Sequence, residues 1–182
     1  MIIFSLDGTL ADCEHRRHFI EKPERCECPY RCCICKKCEQ FNEWKPDWQA
    51  FYEACDKDIP IVPTLSILSK FMLDSDRHVE IWSGRCESVR KKTVDWLCEN
   101  WFLGLFDFEV ERLNESIKMR PIGDTTPADQ LKERWLNERI DDMGNQAVSD
   151  IEFVFASDPK EIAMWRRRGI FVFDVNQTGK EF

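Results

Sequence analysis

The chain has 182 residues, of which 43% are hydrophobic and 33% charged, with a formal net charge of −8 and a pI of about 5.0. That length and apolar share suffice for one domain with a full core and exclude a disordered tail. The acid excess argues against non-specific DNA binding through phosphate neutralisation, no apolar run approaches the ~20 residues of a membrane span, and the start, MIIFSLDGTLAD, lacks the basic head and long apolar middle of a signal peptide. A cytoplasmic protein with no membrane partner is expected.

In chain order, residues 1–5 form a short apolar run of strand type, closed by the turn residues Asp7-Gly8-Thr9. Residues 21–47 are rich in Cys, Pro and charge and read as an inserted module. Residues 64–73 place Leu65, Leu68, Phe71 and Met72 on one helical face, with Pro63 suited to the first turn. Residues 77–82 predict a strand ending at Ser83-Gly84-Arg85, and residues 87–100 a helix carrying Val89, Val94 and Leu97. A weaker strand falls near 116–119, and Leu131, Trp135 and Leu136 mark a helix over 127–140. Residues 151–155 predict a strand that ends at Ala156-Ser157-Asp158-Pro159. A helix over 159–168 opens on proline and stops at Gly169, and a last strand covers 170–174. Strands alternating with helices imply a three-layer α/β domain around a parallel sheet, spanning residues 1–182 as one unit. Ligands of such sheets bind at the carboxyl ends of the strands, where Ser5, Ser83 and Ala156 fall.

Ten cysteines are many for a chain with no export signal, and six of them, Cys26, Cys28, Cys32, Cys33, Cys35 and Cys38, fall within thirteen residues. Metal binding explains this better than a disulfide framework. Cys26, Cys28, Cys35 and Cys38 are the best-spaced ligands for a tetrahedral structural zinc, with Cys32 or Cys33 as substitutes; free thiols or a redox role are the alternative. His15 and His18 lie nearby and read as surface histidines of a helix, and Cys13, Cys55, Cys86 and Cys98 read as core fillers.

Four segments carry a resemblance: IIFSLDGTLAD, EIWSGR, MRPIGDTTPADQLKERWL and IEFVFASDPKEIAMWRRRGI. In this order they resemble the four motifs of the haloacid dehalogenase (HAD) superfamily. More narrowly, they are similar to the phosphatase part of phage polynucleotide kinase/phosphatase and its stand-alone relatives. The resemblance implies a Rossmann-like HAD fold in a phage or bacterial cytoplasmic setting, with the Cys-rich segment 21–47 standing where HAD proteins carry a small cap. It also implies an aspartate nucleophile at the position of Ser5, and a general acid and base at Asp7. Magnesium would be held by the first aspartate, a backbone carbonyl and a motif IV acid. The phosphoryl oxygens would be held by Thr9, Ser83, Gly84, Arg85, Arg120 and Lys132.

The sequence departs from this pattern where departure is costly. Serine stands at the nucleophile position, Ala156 and Ser157 stand at the two motif IV acids, and Thr126 and Ala128 replace an arginine and an aspartate of motif III. With three carboxylates replaced by neutral groups, magnesium is not expected and catalysis is expected to be lost or very weak. Arg85, Arg120 and Lys132 are expected to form a more electropositive pocket. The leading expectation is a pseudophosphatase that binds a phosphorylated small molecule or nucleic-acid end, sequestering a nucleotide or contacting a host protein. One alternative is an active phosphatase on nucleotide or polynucleotide 3′-phosphates, with Asp158 taking the metal role; another is a protein-interaction module with a relic pocket. Trp44, Trp48, Phe51 and Tyr52 either stack on a base or, the favoured reading, pack a cap helix on the core. The run Arg166-Arg167-Arg168 reads as a solvated helix end. No G-x-x-x-x-G-K-[ST] loop occurs, so no kinase activity is expected.

Overall fold

A computed structural model describes residues 1–24, 41–74, 76–100, 107–144 and 146–176. The six clustered cysteines proposed to hold zinc lie outside these residues. Five strands form one parallel sheet: β1 (Ile2–Ser5), β4 (Val79–Cys86), β5 (Ile117–Arg120), β6 (Phe153–Ala156) and β7 (Val172–Asp174), in the order β5-β4-β1-β6-β7. The central strand β1 pairs Ser5 with Trp82 of β4 and Phe4 with Phe155 of β6. Its carboxyl end therefore lies in the middle of the sheet, flanked by the ends of β4 and β6. A register shift in the β4–β5 pairing falls between Ser83 and Cys86, the Ser-Gly-Arg stretch.

Helices cover both faces. On one lie α2 (Val62–Leu73), α3 (Arg90–Asn100) and α4 (Asp107–Ser116); on the other lie α5 (Ala128–Met143) and α7 (Pro159–Arg167), with the short α6 (Gln146–Ser149) leading into β6. The alternation of side chains along a strand sorts the core in two. Ile2 and Phe4 pack with Leu65, Leu68, Val94, Leu97 and Leu113, whereas Ile3 packs with Trp82, Leu131, Trp135, Ile162 and Trp165. The same period of two turns Ser5 to the face of Ile3, toward α5 and α7. This geometric fact assembles the site described below.

The four helices expected from periodicity are present, with ends displaced by a few residues. Pro63 sits in the first turn of α2, Pro159 opens α7, and Gly144 and Gly169 follow α5 and α7 with φ of 68° and 78°, values open to glycine without strain. Helix α4 is an addition to the expected elements, although Val110 and Leu113 stand at helical spacing there. The chain after β1 was also richer than expected. It runs through β2 (Ala11–Asp12), a 3₁₀ turn at Glu14–Phe19, α1 (Trp48–Glu53) and a second 3₁₀ turn, to β3 (Ile59–Pro60). β2 and β3 pair antiparallel, Ala11 with Pro60, so both ends of this excursion are tied beside the carboxyl end of β1. No helix among the described residues is long and apolar enough to cross a membrane.

Candidate functional site

Two buried polar clusters meet at the carboxyl end of β1. The first joins Ser5, Lys132 of α5 and Glu161 of α7, which are 2%, 3% and 3% exposed. The Ser5 hydroxyl donates to Glu161 Oε1 at 2.5 Å, Lys132 Nζ donates to Glu161 Oε2 at 2.6 Å and to Ser5 Oγ at 2.9 Å, and the Trp165 indole N–H donates to Glu161 Oε1 at 3.0 Å. The carboxylate thus has a partner on each oxygen and the ammonium has two acceptors. A buried ion pair needs such satisfaction to offset the loss of water around both charges. Asp158, the alternative metal ligand expected from the sequence, is the N-cap of α7, accepting from the backbone N–H groups of Lys160 and Glu161 at 2.8 and 2.9 Å.

The second cluster joins Asp7, Arg16, Asp58 and Arg85. Arg85 donates to Asp7 at 2.6 and 2.9 Å and to Asp58 at 2.5 Å; Arg16 donates to Asp7 at 2.7 Å and to Asp58 at 2.7 and 2.8 Å. His15 Nε2 lies 2.9 Å from Asp58 Oδ1, the Trp96 indole donates to the Asp58 carbonyl, and the Arg16 guanidinium lies 4.1 Å from the ring centre of Phe51. Two carboxylates and two guanidiniums balance. Burial alone raises the pKa of Asp7, but the charges and hydrogen bonds of Arg85 and Arg16 outweigh it and hold the carboxyl at about 2. A general acid must carry a proton near the working pH, and Asp7 so held carries none.

Arg120, the third retained cation, is occupied by backbone: its Nε donates to Gly84 O at 2.8 Å and its Nη1 to Thr126 O. Ala128 lies beside Gly84, where a Cβ on the glycine would meet it at 3.4 Å. Ser83 Oγ accepts from the Arg85 N–H at 3.1 Å. Gly8, with φ of 73°, turns the chain so that the Thr9 hydroxyl reaches Ser157 Oγ at 3.2 Å, and Ser157 in turn reaches the carbonyl of Asp7 at 3.4 Å. Of the aromatics, Phe51 is buried and Trp48 half exposed, with Tyr52 between them, so α1 packs one side on the core and leaves one ring at the surface.

The residues singled out from the sequence for the phosphate pocket, Ser5, Asp7, Thr9, Ser83, Gly84, Arg85, Arg120 and Lys132, therefore gather at one end of the sheet. The three cations expected to make this pocket electropositive each have partners already. Lys132 is paired with Glu161, Arg85 with Asp7 and Asp58, and Arg120 with carbonyls. Nor do the residues fit magnesium. The positions of its ligands hold the Ser5 hydroxyl, the Asp7 carbonyl and the Ser157 hydroxyl, and an ammonium stands 2.9 Å from the first. Magnesium is held by charged oxygens in a near-octahedral set; these three groups are neutral, and the carboxylate touching Ser5, that of Glu161, is committed to Lys132. Among the described residues, no three His, Cys, Asp or Glu side chains converge as a metal site.

Sequence reasoning missed Arg16, Asp58 and Glu161. Glu161 stands three residues after the cap residue Asp158, a spacing read naturally as a surface capping box. The signal that it is buried was its i,i+4 relation to Trp165 on the inward face of α7.

The profile described as the polynucleotide kinase PNKP phosphatase domain matches residues 48–179. The chain belongs to this HAD phosphatase family. The match begins beyond the first motif, and the sheet supplies what it leaves out, since Ile2 to Ser5 pair in register with the matched strands β4 and β6 and the turn that follows starts from their ends. Solved structures agree on the fold. A chain of the Pnkp1/Rnl/Hen1 RNA repair complex superposes with a TM-score of 0.57 at 19% identity, covering 96% of this chain and 41% of that one. A second structure of the Pnkp1/Rnl/Hen1 complex gives 0.57 at 18% identity, with 96% and 45% covered. This chain spans less than half the length of those chains. No curated protein matches it.

Proposed function

We propose that this member of the family is a catalytically impaired phosphatase domain that acts by binding a partner and not by turnover. One observation carries the reading: the nucleophile position holds a serine whose hydroxyl is pinned between Glu161 and Lys132. A serine attacks only when a base withdraws its proton and the oxygen faces substrate. Here the base candidate is committed to an ammonium and the oxygen is buried. Asp7, the leaving-group acid of the family's scheme, is held deprotonated by two guanidiniums.

Of the two non-catalytic readings, the internal pairing of Lys132, Arg85 and Arg120 favours an interaction module over a phosphate receptor at rest. A protein or nucleic-acid partner is in keeping with the RNA repair assemblies in which the structural neighbours occur. A phosphorylated nucleotide or nucleic-acid end enters this scheme by displacing Glu161. Zinc remains the metal proposed for Cys26, Cys28, Cys35 and Cys38, with Cys32 or Cys33 as substitutes, and metal analysis of the purified chain tests it. The functional test is Mg²⁺-dependent hydrolysis of p-nitrophenyl phosphate and of a 3′-phosphorylated oligonucleotide. No turnover above the uncatalysed rate is expected, and turnover abolished by Asp7→Asn would overturn the reading.

A further inference from the structure

Glu161 occupies a helix position where a glutamate ordinarily turns back to the N-cap backbone at the surface. Here the cap is completed by Asp158, and the Glu161 side chain turns inward. Its carboxylate meets a hydroxyl from β1, an ammonium from α5 and an indole N–H from its own helix. One charged and two neutral donors converging on two oxygens make an oxyanion-binding set. The hydroxyls of Thr9 and Ser157 complete the same end of the sheet.

We infer that the Glu161 carboxylate is the resident anion of the phosphoryl pocket, bound by Ser5, Lys132 and Trp165, and that it bars a phosphate monoester or inorganic phosphate from those donors. The inference rests on the reading of the site as catalytically silent and assigns the residue that keeps it closed. Electrostatics gives the reason. With Glu161 in place, Lys132, the only cation touching the Ser5 hydroxyl among the described residues, is already neutralised. An incoming phosphate dianion would meet a carboxylate at contact distance in a desolvated site, where like charges repel strongly. With the carboxylate shortened to a methyl group, the same donors face open space and the buried ammonium lacks a counter-ion, a state that an oxyanion relieves.

The experiment compares the whole chain with Glu161→Ala, Glu161→Gln and Glu161→Ala/Lys132→Met. Inorganic phosphate is the probe, followed by thermal shift and by calorimetric titration. A ligand that binds only the folded state raises Tm with its concentration. At about 10 mM phosphate the unsubstituted chain is expected to show no shift. Glu161→Ala is expected to show a saturable rise and an affinity roughly tenfold or more above the unsubstituted chain, and the double variant to lose it. Glu161→Gln keeps the size and the acceptor for Ser5 while dropping the charge, so it reports a smaller gain even where Glu161→Ala fails to fold. Equal phosphate binding by the unsubstituted chain and the variants, or no gain in either folded variant, overturns the inference. Hydrolysis of p-nitrophenyl phosphate by the unsubstituted chain instead overturns the silent-site reading, so the two failures are separable.

Discussion

Ser5 and Glu161 stand 156 residues apart in sequence and 2.5 Å apart in space, the hydroxyl donating to the carboxylate. Three acids are missing from the motif positions at this end of the sheet, and this glutamate, supplied from α7, is the carboxylate that replaces them beside Lys132. Its charge offsets that of Lys132 in the buried pocket.

The Lys132–Glu161 pair should behave as a unit in unfolding. Removing one partner leaves an uncompensated buried charge, so Lys132→Met and Glu161→Leu are each expected to cost about 3–5 kcal/mol. The double variant is expected to fall close to the unsubstituted chain, because an apolar pair of similar volume avoids both desolvation penalties. Urea unfolding of all four proteins measures the coupling, and additive losses would show that the two side chains act independently.

Restoring the nucleophile alone should not restore activity. An aspartate at position 5 would put a second carboxylate against Glu161, with Lys132 left to neutralise both, so Ser5→Asp is expected to lower Tm and to show no Mg²⁺-dependent turnover. Adding Ala156→Asp, Ser157→Asp and Glu161→Gln supplies the metal-binding acids and removes the obstructing charge. Turnover of p-nitrophenyl phosphate is expected in the fourfold variant, and each tenfold in rate would correspond to ~1.4 kcal/mol of barrier. Activity in Ser5→Asp by itself would show that Glu161 is no obstacle.

Acid stability should carry the signature of Asp7. Its folded pKa of about 2 lies below the ordinary 3.8. The contribution is therefore full above pH 3.8 and is lost as pH falls through about 2, worth about 2 kcal/mol from the size of the shift. Asp58 moves the other way, raised chiefly by burial, so its protonation opposes part of that loss. Chemical unfolding between pH 5 and pH 2 is expected to show a shallower decline in Asp7→Asn than in the unsubstituted chain; parallel curves would contradict the assignment.

The charge of Asp7 should matter more to the fold than that of Asp58. The Asp58 side chain is fully buried and accepts from Arg16, Arg85 and His15, whereas the Asp7 side chain retains 19% exposure. Burial raises the pKa of Asp58, so the fold favours its neutral form, while Arg85 and Arg16 favour the ionised form of Asp7. Asp7→Asn is therefore expected to cost more than Asp58→Asn at neutral pH. The same urea titrations rank the two, and the reverse order would place the keystone of the network at Asp58.

The sequence by itself determined the layers and the end of the sheet that matters. Apolar runs of strand length, helical spacing at Leu65 and Leu68 or at Leu131 and Trp135, and glycines after helices are local signals, and each reports on neighbours a few residues away. The four motif segments likewise put Ser5, Ser83, Arg120 and Lys132 at strand ends or on the helix that follows, where they stand. What the site does with its charges was decided by tertiary structure alone. Glu161 reads locally as part of a helix cap, Arg16 and Asp58 as ordinary surface charges, and nothing within a few residues of any of them reveals its partner. Those partners are set by the alternation that turns Ser5 toward α5 and α7, and by the β2–β3 pairing that ties both ends of the excursion carrying Arg16 and Asp58 against β1. Charge compensation in a buried site depends on distance in space, and a linear sequence does not record that distance.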